Sequence, residues 1–167
     1  MNGTKRLISA LSGLIICFQS CSTAVSDCQE HFIGTNFWYG PILASDGPGS
    51  DHERLSAELD SLKSIGITNL RVLAGADGED GIAVKVRPAL QTAPGVYNDD
   101  ILNGIARFLN ELEKRDMKAV IYLNNAWEWS GGYGTYLEWA GAGKCPDTRW
   151  DGYGKYIDFV SQFPVNE

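Results

Sequence analysis

The chain has 167 residues, 44% of them hydrophobic and 21% charged, and 14 basic against 21 acidic side chains give a formal net charge of −7. Those proportions belong to a folded globular protein and exclude an intrinsically disordered one, and the length suits one domain. The acidic balance argues against nucleic acid or another polyanion as partner, because such partners want a basic face.

In chain order, Lys5 and Arg6 precede an apolar run from Leu7 to Phe18. That run is shorter than the ~20 residues of a membrane helix and has the proportions of a signal peptide. The protein is therefore expected to be exported, as a cell-surface lipoprotein or an extracellular protein. Phe18-Gln19-Ser20-Cys21 resembles a bacterial lipoprotein signal, although Gln19 stands where a small residue is usual. In that reading Cys21 becomes the lipidated first residue and attaches the chain to a membrane. Residues 1–20 are then a lipoprotein-type signal peptide and 21–30 a polar tether. The competing reading is ordinary cleavage near Ser20 or Ala24, followed by secretion. Removal of residues 1–20 takes away Lys5 and Arg6 and no acid, leaving 12 basic and 21 acidic side chains and a net charge of −9. Cys28 and Cys145 could pair in an oxidising compartment. Cys17 would leave with the signal, Cys21 would carry lipid, and the histidines are His31 and His52, so neither metal nor cofactor is expected.

Phe32 to Phe37 reads as a first strand, and Trp38-Tyr39-Gly40-Pro41 takes the chain into a loop. Ser50 with Glu53 forms a capping box, Leu55, Leu59, Leu62 and Ile65 follow with helical spacing, and Gly66 is a natural stop. Ile67 to Leu73 is a second strand with Arg71 inside it. The stretch from Ala74 to Asn98 is rich in Gly, Pro and Asp, a long excursion of the kind that carries a working surface. Asn98 caps the next helix, Asp99 and Asp100 complement its positive end, and Ile101, Ile105, Phe108, Leu109 and Leu112 form its apolar stripe. Met117 to Leu123 is the third strand. After an aromatic loop, Tyr153, Tyr156, Ile157 and Val160 predict one more helix from near Asp151.

Strands alternating with helices predict a parallel sheet with right-handed crossovers. A doubly wound nucleotide-binding fold would fit the length, but Gly34-Thr35-Asn36 lacks the glycines of a phosphate loop. A (β/α)₈ barrel needs about 250 residues, whereas this chain supplies three strand–helix units.

In a parallel sheet the three strand ends share a rim. The first delivers Asn36, Trp38 and Tyr39, the second Arg71, and the third Asn124, Asn125, Trp127 and Trp129. Indole faces suit the apolar C–H faces of sugar rings and amides suit hydroxyls, so the rim reads as a sugar cleft. The competing reading is an aromatic loop packed on its own domain, since Trp is highly buried on average. Arg71, inside an apolar strand, either holds a carboxylate ionised by charge-assisted hydrogen bonds or reaches solvent at a strand edge.

Three collinear motifs give these residues a family context: Phe32 to Gly40, the Asn69-Leu70-Arg71-Val72 strand, and Leu123-Asn124-Asn125 through Trp127-Glu128-Trp129-Ser130-Gly131-Gly132, with Tyr136 to Gly141 following. Together they resemble glycoside hydrolase family 5, in its endo-β-1,4-mannanase branch, from His31 to about Phe163. The resemblance implies an α/β fold, the N-terminal portion (about three βα units) of a (β/α)₈ TIM barrel. It also implies retaining hydrolysis of β-mannan by two glutamates ~5–5.5 Å apart. In the family those glutamates end strands four and seven, so residues 31–167 read as a truncated catalytic domain, inactive alone, with both expected beyond Glu167. The resemblance gives Arg71 the role of supporting the nucleophile, and places Asn36, Trp38, Asn125, Trp127 and Trp129 along the substrate. Asn166-Glu167 imitates the family's acid/base motif but follows a predicted helix instead of a strand. Glu128 and Glu138 read as loop-organising or solvent-facing acids. The alternatives are a non-catalytic carbohydrate-binding fragment and a family 5 β-1,4-glucanase.

Overall fold

The computed structural model describes residues 33–78 and 86–163. The expected signal peptide over residues 1–20, the expected tether over 21–30, Cys21, Cys28 and Asn166-Glu167 lie outside the described residues. In order, the elements are β1 (Ile33–Asn36), α1 (Gly40–Ala44), α2 (His52–Ser64), β2 (Ile67–Leu73), β3 (Gln91–Ala93), β4 (Val96–Tyr97), α3 (Asp99–Glu113), β5 (Lys118–Tyr122), α4 (Gly132–Trp139) and α5 (Tyr153–Val160). Strands β1, β2 and β5 form a parallel sheet in that order, with Asn36 beside Arg71 and Arg71 beside Val120. The three predicted strand–helix units are present, and β3 and β4 make a separate antiparallel pair within the excursion after β2.

Side chains alternate across a strand, so the two faces of the sheet differ. Leu70 and Val72 of β2 lie fully buried on one face, packed with Leu55 and Leu59 of α2, Phe108 and Leu112 of α3, and Phe37, Leu43 and Met117. The other face carries Asn36, Arg71 and Val120, all exposed, Val120 by 57%.

The helices follow their local signals with four corrections. Asp51, and not Ser50, caps α2, its carboxylate accepting from the Arg54 amide at 2.9 Å. The helix ends as expected at Gly66, whose φ of +85° suits glycine, but Ile65 already belongs to the exit turn and is exposed. Asn98 caps α3 as predicted, accepting from the Asp100 amide at 3.0 Å. The buried line on α3 runs through Ile101, Gly104, Phe108 and Leu112, leaving Leu109 exposed. The cause is α1, which crosses so closely that a Cβ on Gly104 would sit 2.3 Å from the Pro41 carbonyl oxygen. A stripe read from apolar residues alone misses a glycine at its centre. Finally, α5 begins at Tyr153 after Gly152 and buries Tyr156, Phe159 and Val160, while Tyr153 and Ile157 face outward.

Candidate functional site

Parallel pairing brings the C-terminal ends of β1, β2 and β5 to one rim, and Arg71 is central there. Its guanidinium donates to Asn36 Oδ1 at 3.3 Å, and its Cζ stands 3.9 Å from the centroid of the Tyr122 ring. Arg71 is neither buried in the strand nor at a sheet edge: β2 is the middle strand, and the side chain lies on the exposed face. The burial cost expected for a strand-interior charge therefore does not arise, and a cation–π contact steadies the group. Tyr122 shares that face because it stands two residues beyond Val120. Burial raises its phenol pKa, against the opposing pull of Arg71. The period-2 pattern of β5 could have paired Tyr122 with Arg71 from sequence.

The indoles divide. Trp38 is 39% exposed and meets Trp129 edge-on, ring centroids 5.8 Å apart, with Tyr39 on its other side at 5.3 Å. Trp129 packs against the buried cluster of Leu73, Ala76, Val86 and Ala89, as does Tyr122. Trp38 and Trp129 thus form one pair and Arg71, Asn36 and Tyr122 one group, with Trp129 and Tyr122 packed against the same buried cluster. Trp127, 47% exposed, instead pairs with Tyr153 of α5 at 6.1 Å. Trp127 precedes and Trp129 lies within a 3₁₀ turn at Glu128–Ser130, and the two indoles go to different neighbours.

Asn125 organises the loop. Its Nδ2 donates to Ser130 Oγ at 2.7 Å, its Oδ1 accepts from the Trp127 amide at 2.7 Å, and its carbonyl accepts from the Tyr133 amide at 3.1 Å. Glu128 accepts from the Thr148 hydroxyl and Glu138 from the Cys145 amide, which are loop-organising roles. Cys145 is a half-buried thiol, pushed up to about 12 by burial and by the charges of Glu138, Glu128 and Asp147. Among the described residues no three His, Cys, Asp or Glu side chains gather as metal ligands.

Gly131 and Gly132 both adopt positive φ, +83° and +56°. A Cβ on Gly131 would lie 1.9 Å from the Asp77 carbonyl oxygen. At that junction the sequence reading missed a group. Asp77, in the loop after β2, is 4% exposed and accepts from the Tyr136 hydroxyl of α4 at 3.1 Å. Burial holds its carboxyl up at about 6, against the lowering effect of the Tyr136 hydrogen bond. An Asp in a Gly-rich stretch reads as a turn residue, and only the fold reveals its burial.

The sequence pattern described as glycoside hydrolase family 5 β-mannosidase-like matches residues 19–167. Among curated proteins, putative mannan endo-1,4-beta-mannosidase 9 of Oryza sativa subsp. japonica is 35% identical over 107 residues, 64% of this chain and 24% of that protein. Mannan endo-1,4-beta-mannosidase 7 of Arabidopsis thaliana is 30% identical over 107 residues, 64% of this chain and 23% of its own length. The chain thus spans about a quarter of the length of the curated relatives it matches. Among solved structures, a glycoside hydrolase family 5 mannosidase from Rhizomucor miehei superposes with a TM-score of 0.72 at 32% identity, covering 78% of this chain and 32% of that one. An endo-1,4-beta-D-mannanase from Thermotoga petrophila RKU-1 superposes at 0.52 with 22% identity, over 80% of this chain and 38% of that one, a likeness of fold alone.

Proposed function

Because the chain belongs to glycoside hydrolase family 5, in its β-mannosidase-like group, we propose that its strand-end rim is the sugar-gripping side of a site for retaining hydrolysis of β-1,4-mannan. One observation carries the reading: the Arg71 guanidinium, linked to Asn36 and stacked on Tyr122, stands at the strand-end rim of a parallel sheet, and the loops leaving β1 and β5 at that rim bring Trp38 and Trp129 together. Retaining hydrolysis needs an acid and a nucleophile, two carboxyl groups ~5–5.5 Å apart. Among the described residues no glutamate ends a strand of the sheet. The rim's own contribution is therefore to orient substrate and to fix charge. Arg71 supplies donors in a rigid fork that suit a carboxylate, lowering its pKa and holding it as a nucleophile. Trp38 and Trp129 offer apolar ring surface to pyranose faces, and Asn36 holds the guanidinium at its angle.

Calorimetric titration of the 167-residue chain with mannohexaose, and with cellohexaose as the glucan control, tests this reading. The expected result is a preference for mannohexaose and at least about tenfold weaker binding in Trp38→Ala, about 1.4 kcal/mol. Equal affinity for both oligosaccharides would favour the β-1,4-glucanase alternative, and no binding to either would overturn the reading. We also propose export with a lipid on Cys21, supported by Lys5, Arg6 and the apolar run Leu7 to Phe18. Radioactive palmitate is expected to label the wild type and not Cys21→Ser, and an unlabelled wild type would overturn it.

A further inference from the structure

A carboxyl group that the sugar-gripping rim does not use lies where the loop after β2 meets the aromatic loop. The hydroxyl of Tyr136 lies 3.1 Å from Asp77 Oδ1 and 3.3 Å from Gln91 Oε1, while Asp77 Oδ2 is buried with no hydrogen-bond partner. A tyrosine hydroxyl has one proton to donate, and here two acceptors face it. With Asp77 ionised, one of them goes without. A proton on Oδ1 removes the conflict, because Asp77 then donates to the Tyr136 oxygen and Tyr136 donates to Gln91. We propose that Asp77, Tyr136 and Gln91 form a proton-dependent clasp, closed when Asp77 carries the proton, that fastens the loop after β2 and the β3–β4 pair to the aromatic loop and α4.

The backbone shows what the clasp holds. The Asp77 amide donates to the Ser130 carbonyl at 2.9 Å, the Gly78 amide donates to the Gln91 carbonyl at 2.8 Å, and the Thr135 hydroxyl donates to the Asp77 carbonyl at 3.4 Å. Ser130 and Thr135 flank the two positive-φ glycines, so loosening Asp77 loosens the turn that carries Trp129. Among the described residues, the titratable groups facing this carboxyl are Tyr136 of α4 and, behind it, Tyr97 of β4. Gln91, Ser130 and Thr135 do not titrate. Burial and the Asp77 charge push Tyr136 up to about 12, so its hydroxyl keeps its proton across the range in which Asp77 changes state.

The sign follows from the carboxyl's raised position, at about 6 in the folded chain against 3.8 ordinarily. Its stabilising effect is complete below 3.8 and is lost as pH rises through about 6. Amide hydrogen exchange of the 167-residue chain, followed by NMR between about pH 5 and about pH 8 and corrected for intrinsic rates, reads the clasp directly without any sugar. Protection over Ser130 to Tyr136 is expected to fall at least about tenfold through that interval. Asp77→Asn, permanently neutral and nearly isosteric, is expected to flatten the profile, and Tyr136→Phe to lower protection at the acid end. A wild-type profile without a step, or the same step in Asp77→Asn, would overturn the proposal and leave the mannan reading untouched.

Discussion

The two faces of the β1–β2–β5 sheet are built for different ends. On one, Leu70 and Val72 vanish beneath α2 and α3 with Phe37, Leu55, Leu59 and Phe108. On the other, Arg71 sits between those same two residues in sequence and meets Asn36 and the Tyr122 ring. One residue of offset along β2 separates a side chain buried in the core from a guanidinium on the exposed face. The difference teaches that packing and the proposed sugar-gripping role fall on alternate positions of a single strand, so that each is open to separate disturbance.

The sharpest way to break that separation is Leu70→Ala, which empties a fully buried site. It is expected to lower unfolding free energy by about 2–5 kcal/mol in urea titrations. Gly131→Ala comes next, because the left-handed backbone and the contact with the Asp77 carbonyl both resist a methyl group. A loss of about 1–3 kcal/mol is expected, read as a lowered melting temperature. Asn98→Ala removes the α3 cap and should cost about 1 kcal/mol by the same urea assay. Smallest on stability is Arg71→Ala: its urea midpoint should stay close to wild type while mannohexaose affinity falls at least about tenfold, which is about 1.4 kcal/mol of binding. A large stability loss in that variant would mean the two faces are not independent.

Much of this was readable from residue order because the signals are local. The apolar runs at Ile67 to Leu73 and Met117 to Leu123 become strands, Asn98 caps its helix, and Gly66 ends one. What escaped depends on approach between distant segments. Gly104 belongs to the buried line of α3 only because Pro41 arrives there, and Asp77 becomes a buried acid only because α4 and β3 close over it. The rim was legible as a set of residue types but not as a geometry. Asn36 meets Arg71 and Trp38 meets Trp129, whereas Trp127 turns to Tyr153 and the Asn125 side chain is engaged in shaping its own loop. Period-2 alternation along β2 and β5 sorts Arg71 and Tyr122 onto one face. No comparable rule orients side chains across a 3₁₀ turn.

The absence of a side chain at Gly131, where a Cβ would strike the Asp77 carbonyl, reaches beyond packing. It makes the loop after β2 and the loop after β5 a single inheritable unit: neither can be exchanged for a relative's version without its counterpart. Grafting the aromatic loop alone into another barrel should misplace its glycine turn, whereas transplanting residues 74–78 together with 123–136 should carry the turn intact. For directed evolution of such a rim, libraries that vary both segments together will search fold-competent space that single-loop libraries cannot enter.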